Sequence, residues 1–260
     1  MDGVLSQEEI NALLNNNDAA DSSDEILTES EKDAIGEIAN ISMGTAATTL
    51  FSLVNRRVEI STPVVSFSNW DKIVDEYEKP CVFIKIGYTQ GLNGSNILVL
   101  KEKDVKIITD LMMGGDGTNI NGEIGELHLS AISEAMNQMM GSSATSLSSM
   151  LNRTIDISPP IAEVVDLKNT LNEGEIDSFL SEEFVKISFH MEIGDLVDSE
   201  IMQLYPPAFV KEMCKGVSQN MELDTQSVTE DVPQSSNTAT QAAPIQQPQD
   251  SGSMNNASAN

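Results

Sequence analysis

Apolar residues recur at helical spacing in two long stretches of this chain. In residues 31–54 the apolar set is Ile35, Ile38, Ala39, Met43, Ala46, Leu50 and Leu53. In residues 125–151 it is Ile132, Met136, Met139, Met140, Leu147 and Met150. Both sets return every three or four positions, which predicts two long amphipathic helices. After each helix the chain enters an extended stretch that ends near a proline, Pro63 or Pro160. Strand-forming runs follow at residues 82–88 and 96–100, with Asn93-Gly94 as a hairpin signal between them. Runs at 184–193 and 200–205 repeat that order. A short helix closes each series, at 105–113 and 207–214, and Gly114-Gly115 reads as the stop of the first. Helix, strands and helix, twice over, predict an α+β fold with pseudo-two-fold symmetry.

The duplication is visible residue by residue. Glu37 and Glu134 stand 97 positions apart. At the same spacing Asn40 meets Asn137, Gly44 meets Gly141 and Asn55-Arg56 meets Asn152-Arg153. Val58 meets Ile155 and Pro63 meets Pro160. Ungapped agreement over this length marks an internal repeat. The expected folded region is 26–216, with halves 26–122 and 123–216.

At about 100° per residue, with Asp33 as zero, Glu37 falls near 40°, Asn40 near 340° and Gly44 near 20°. The apolar set centres on the opposite side, so these four residues form an outward stripe. Ser130, Glu134, Asn137 and Gly141 form the same stripe on the second helix, and Ala47 and Ala144 extend each by one turn. Solvated helix faces more often carry Lys, Arg and Glu, which favour helix. Asn is a poorer helix former, so its recurrence at one place points to a use.

The ends of the chain differ in kind. Ser6 and Glu9 have capping-box spacing, Leu5 and Ile10 hydrophobic-staple spacing, and Ile10, Leu13 and Leu14 share one face. This short helix, residues 1–15, precedes a polar linker at 16–25, an arrangement suited to a peptide that folds into a partner's groove. From about residue 217 the chain becomes rich in Gln, Ser, Asn, Ala and Pro, and the expectation for 217–260 is a disordered tail.

Composition narrows the function. A formal net charge of -27 opposes binding to nucleic acid, whose phosphates it would repel. No run reaches the roughly 20 apolar residues of a membrane helix, and the start lacks a secretory signal. The chain is therefore expected in the cytoplasm, with no membrane insertion. With aromatics at only 4%, the core must rest on aliphatic residues and Met. Cys81 and Cys214 lie among apolar neighbours and read as buried free thiols.

His128, on a helix and expected to be exposed, and His190, on a strand, have no metal-ligand spacing with each other or with cysteine. There is no P-loop or dinucleotide fingerprint. A helix that offers Glu and Asn, without metal or nucleophile, can complete an active site that already holds both a metal and a labile phosphoryl group. Orienting a water in line with phosphorus suffices.

The pattern Asp/Ser-x3-Glu-x2-Asn-x22-Pro occurs twice, as Asp33, Glu37, Asn40, Pro63 and as Ser130, Glu134, Asn137, Pro160. It resembles the signature of the CheC/CheX/FliY phosphatases of bacterial chemotaxis, across the whole folded region. The run Leu5, Ser6, Gln7, Glu8, Glu9, Ile10, Asn11, Ala12, Leu13, Leu14 resembles the peptide with which FliM and FliY proteins bind phosphorylated CheY. CheC lacks this extension, so the resemblance is nearest to the FliY branch. It implies a phosphatase for CheY-phosphate with two active sites, in which CheY supplies the aspartyl-phosphate and Mg²⁺ and this chain binds no cofactor of its own. Asn40 and Asn137 would orient the attacking water, and Glu37 and Glu134 would pair with the CheY active-site lysine. Asp33 and Ser130 would support that contact.

FliY proteins normally continue into a FliN-like domain, whereas this sequence ends in its tail. The expectation is either a piece of a longer switch protein or a soluble phosphatase with a tethered capture peptide. The first places it at the cytoplasmic face of the flagellar basal body, beside FliM and FliG. A rival reading is a non-catalytic switch scaffold that binds CheY-phosphate through its N-terminal peptide alone.

Overall fold

The computed structural model describes residues 26–77, 80–167, 174 and 176–228. The peptide with Leu5, Ser6, Gln7, Glu8, Glu9, Ile10, Leu13 and Leu14, its linker, and the chain beyond 228 lie outside the described residues. The elements run α1 (Glu29–Val54), β1 (Val58–Ile60), β2 (Val64–Ser68), α2 (Trp70–Glu76), β3 (Cys81–Gln90), β4 (Gly94–Lys101) and α3 (Glu102–Met112). The second series is α4 (Glu126–Leu151), β5 (Asp156–Ile157), β6 (Ile161–Val165), a 3-10 turn (Ser178–Ser181), β7 (Phe184–Ile193), β8 (Val197–Tyr205) and α5 (Pro207–Val228). The class is α+β, as the hydrophobic pattern required.

The eight strands of the described residues form one antiparallel sheet, with β8 and β4 paired at its centre through Val99 and Met202. Outward from them lie β7 on one side and β3 on the other. The edges are exchanged between the repeats. β1 and β2, from the first repeat, pair with β7, as in Val58 with Ile193 and Phe67 with Val185. β5 and β6, from the second, pair with β3, as in Ile157 with Tyr88 and Ala162 with Ile84. The repeats at 26–122 and 123–216 are thus interleaved units of one sheet, which the sequence pattern did not reveal.

Both faces of the central strands are covered, so their sequences contain continuous apolar runs such as CVFI and ILVL. One face carries α1, α3, α4 and α5 over Val82, Ile84, Leu98, Ile187 and Ile201. The other carries, among the described residues, α2 and the 3-10 turn, where Trp70 meets Phe83 edge-on at 6.0 Å between centroids. Among the described residues seven core side chains are Met, an adaptable filler where aromatics are few. Cys81 and Cys214 are buried thiols outside any disulfide, and burial pushes each up to about 11.

Several elements differ from the sequence expectation. Each extended stretch is broken in two at its proline, because Pro63 and Pro160 have no N–H for the ladder. Helix α2 was not foreseen; Asn69 caps it by accepting from the Lys72 N–H at 3.0 Å. The closing helix passes residue 216 and runs to Val228. The β3–β4 hairpin forms, but its positive-φ residues are Gly91 (φ 80) and Gly94 (φ 149), and Asn93 is not among them. The loop is three residues long, so the two-residue Asn-Gly turn does not apply. Gly114 (φ 88) does end α3, and a side chain at Gly115 would collide with the Asp110 carboxylate.

The exchange of edge strands sets an expectation for fragments. Residues 26–122 alone, as a monomer, should show no cooperative unfolding transition, because β3 loses β5 and β6 and the central β4–β8 pairing disappears. Co-expression with residues 123–228 should restore one. A cooperative monomeric 26–122 would show that the pairing between repeats is dispensable.

Candidate active site on the paired helices

Helix α1 is started by a capping box: the Thr28 hydroxyl accepts from the Glu31 N–H at 3.2 Å, and Glu31 Oε2 accepts from the Thr28 N–H at 2.9 Å. In α4 the Nδ1 of His128 accepts from the Gly125 N–H at 3.2 Å. His128 is therefore a half-buried cap rather than the exposed residue expected. Each helix ends on an asparagine in the left-handed region, Asn55 (φ 48) and Asn152 (φ 47). Asparagine tolerates that conformation better than most residues, which explains its place in the repeat.

The two helices lie side by side on one face of the sheet, joined by a hydrogen bond from Thr49 Oγ1 to Ser142 Oγ at 2.8 Å. The pseudo-two-fold through the Val99–Met202 pair is normal to the sheet, so it makes the helices antiparallel. Met43 and Met140, which it relates, both approach the buried Gln203 Nε2. Ile35, Ile38, Ala39, Met43, Ala46 and Leu50 of α1 are buried, as are Ile132, Met136, Met139, Met140 and Leu147 of α4.

The stripes therefore face away from the sheet. Asp33, Glu37, Gly44, Ser130 and Glu134 are exposed, while Asn40, Asn137 and Gly141 are half-buried. Ala47 and Ala144 do not extend the stripes; both are buried. They lie near 320° on their helices, on the flank that meets the partner helix, where a small side chain lets the two pack closely. Pro63 is half-buried and Pro160 buried, at the strand breaks beyond the helices, so neither joins the stripe surface. With Thr49 opposite Ser142 and 1.5 Å rise per residue, Glu37 and Glu134 stand roughly 25–30 Å apart. One phosphoryl group cannot reach both.

Neither glycine of the stripes is needed by the fold. A Cβ placed on Gly44 or Gly141 would meet nothing within 4 Å. Beside Gly44 an open cleft of about 600 Å³ runs between α1 and the edge strand β1, lined by Thr48, Phe51, Val58 and His190. Phe51 corresponds to Ser148 in α4, whose hydroxyl instead accepts from the Ile155 N–H at 2.9 Å. His190 is exposed on β7 with Nε2 at 3.1 Å from Glu192 Oε1 and 3.5 Å from Asp198 Oδ1.

Three further side chains border the stripes. Gln138 donates from Nε2 to Glu134 Oε1 at 2.7 Å, while Ile41 and Leu127 are exposed aliphatics. The i,i+4 spacing of Glu134 and Gln138 was the available signal for the first. Among the described residues no three His, Cys, Asp or Glu side chains form a group that could hold a metal ion. No helix in the described residues is long and apolar enough to cross a membrane. The site's own chemistry is a Glu carboxylate and an Asn carboxamide on each helix, with a second carboxylate, Asp33, on α1 alone; on this open surface they can pair with a cation and hydrogen-bond a water.

The two stripe glycines set a stability expectation. Gly44→Ala and Gly141→Ala should each stabilise the fold by about 0.5–1 kcal/mol, since a methyl group adds helix propensity and meets no neighbour. Thermal melts measure this; a lowered Tm would mean the glycines serve packing after all.

Comparison with known proteins places the chain. The CheC-like family pattern matches residues 31–67 and 127–164, the two motif helices and the strands after them. The flagellar motor switch phosphatase FliY of Bacillus subtilis (strain 168) is 47% identical over 218 residues, 82% of this chain but only 57% of that relative's length. The CheY-P phosphatase CheC of the same organism is 24% identical over 53% of this chain and 67% of its own. The crystal structure of Thermotoga maritima FliY superposes with a TM-score of 0.68 at 42% identity, covering 75% of this chain and 99% of that one. The chain belongs to the CheC-like family.

Proposed function

We propose that this protein dephosphorylates the phosphorylated chemotaxis response regulator CheY, using the stripe on each motif helix as a separate active site. One observation carries the reading: the same Glu–Asn pair stands twice on one open face, each time beside a glycine that the fold does not need. A helix surface kept low in this way admits the close approach of another protein's backbone. The descriptions of the two Bacillus relatives support a phosphatase, and that of CheC, a CheY-P phosphatase, supports this substrate.

The regulator brings the aspartyl-phosphate and its Mg²⁺. Glu37 or Glu134 pairs with the lysine of the regulator's active site and fixes the docking. Asp33 or Ser130, one turn earlier on the stripe, supports that contact. Asn40 or Asn137 holds a water in line with phosphorus by hydrogen bonds from its carboxamide. The water oxygen bonds to phosphorus as the bond to the aspartyl oxygen breaks, giving inorganic phosphate and a free carboxylate. Positioning accounts for the catalysis, since this chain contributes no nucleophile. The same reading sets the chain at the flagellar switch beside FliM and FliG, which the motor-switch description of the Bacillus relative supports.

Decay of CheY-phosphate tests this directly. The unmodified chain should accelerate it, and Glu37→Ala/Asn40→Ala and Glu134→Ala/Asn137→Ala should each remove one site's share. The quadruple variant should be indistinguishable from CheY-phosphate alone. A quadruple variant that still accelerates decay sinks the stripe assignment, and an inactive parent protein favours a non-catalytic scaffold.

The N-terminal peptide with Leu5, Ser6, Gln7, Glu8, Glu9, Ile10, Leu13 and Leu14 is assigned to capture. Removing residues 1–15 should slow turnover at low CheY-phosphate, because tethering raises effective concentration. At saturation the rate should be almost unchanged. A large loss of maximal rate would place the peptide inside the active site instead.

A further inference from the structure

The two stripes are equivalent in motif but not in what holds the glutamate. Gln138 Nε2 donates to Glu134 Oε1 at 2.7 Å. The equivalent position on α1 is Ile41, 42% exposed. Among the described residues Glu37 has no side-chain partner. Helical side chains lean toward the N-terminus, so the residue four positions on overhangs the glutamate in both helices. In α4 that overhang is a hydrogen-bond donor, and in α1 it is a branched hydrocarbon.

The difference has a direct physical consequence. A neutral amide on one carboxylate oxygen leaves the charge intact and Oε2 open to an incoming ammonium group. It also restrains a side chain whose freedom would otherwise be lost when a partner docks. Ile41 offers no donor and leaves the Glu37 carboxylate to be ordered by the partner itself. A second asymmetry lies at the other end: Leu127, 65% exposed, precedes Ser130 where Ser30 precedes Asp33. Both aliphatics lie on the same flank, about 60–80° around from the first motif residue. One follows its glutamate and the other comes before it.

We infer that Gln138 is a positioning residue that pre-orders Glu134, and that Ile41 in its place makes the first stripe the weaker of two unequal docking sites for the phosphorylated regulator. The inference rests on the phosphatase reading above. Its effect belongs in KM, because a carboxylate that fixes docking contributes about equally before and during the chemical step.

A reciprocal exchange in the full chain, with one site silenced at a time, provides the test. With Glu37→Ala/Asn40→Ala silencing the first site, Gln138→Ile should raise KM for CheY-phosphate about two- to tenfold, with kcat held within about twofold. With Glu134→Ala/Asn137→Ala silencing the second, Ile41→Gln should lower KM by a similar factor. Both exchanged residues are exposed, so folding is not at stake. An unchanged KM in either exchange, or a change confined to kcat, overturns the positioning role. So does a first site without turnover that Ile41→Gln fails to restore. An inactive parent protein, by contrast, overturns the phosphatase reading itself, so the two failures are told apart.

Discussion

The interaction on which the rest of the molecule depends is the antiparallel pairing of β2 with β7 and of β6 with β3. Each motif helix is followed directly by strands that cross to the other repeat. The helix is thereby anchored at its C-terminal end beside a strand, β7 for α1 and β3 for α4, that its own repeat does not supply. The two anchors are related by the axis through Val99 and Met202, so both helices lie on one face in opposite directions. Neither site can be repositioned without disturbing strands of both repeats.

This anchoring lets the stripes be poor in self-stabilising features. Gly44, Gly141, Asn40 and Asn137 are weak helix formers in the middle of 26-residue helices. What holds those helices is the buried face, with Ile35, Met43 and Leu50 on one and Ile132, Met136 and Met140 on the other. Most helical stability in proteins comes from such packing rather than from propensity. The exposed side is then free to present a carboxylate and a carboxamide at a spacing set by helix geometry alone.

The symmetry is accurate where packing demands it and loose where it does not. Asn55 and Asn152 adopt nearly the same left-handed geometry, and Met43 and Met140 approach the same Gln203. Around the stripes the halves diverge: Phe51 borders an open cleft whereas Ser148 is tied to the Ile155 amide, and Ile41 stands where Gln138 does. Such differences cost the fold little, because these side chains face solvent or a neighbouring amide rather than the shared core. They alter what a docking partner meets.

The sequence by itself determined the long helices, the outward face of Glu37 and Glu134, the repeat and the α+β class, because these follow from local periodicity and from ungapped matches at a fixed spacing. The α2 helix escaped it because seven residues carry too little periodicity to separate helix from loop. The interleaving escaped it because Val58–Ile60 and Asp156–Ile157 read as strands without naming a partner, and pairing with Met191–Ile193 or with Tyr88 and Gln90, far along the chain, leaves no local mark. Ala47 and Ala144 were misplaced on the stripes for a related reason: a helical wheel fixes direction around one axis but not where the second helix stands. Only the tertiary structure decided that the two stripes share a face, that they lie too far apart to act together, and that the amide of Gln138 holds one glutamate and not the other.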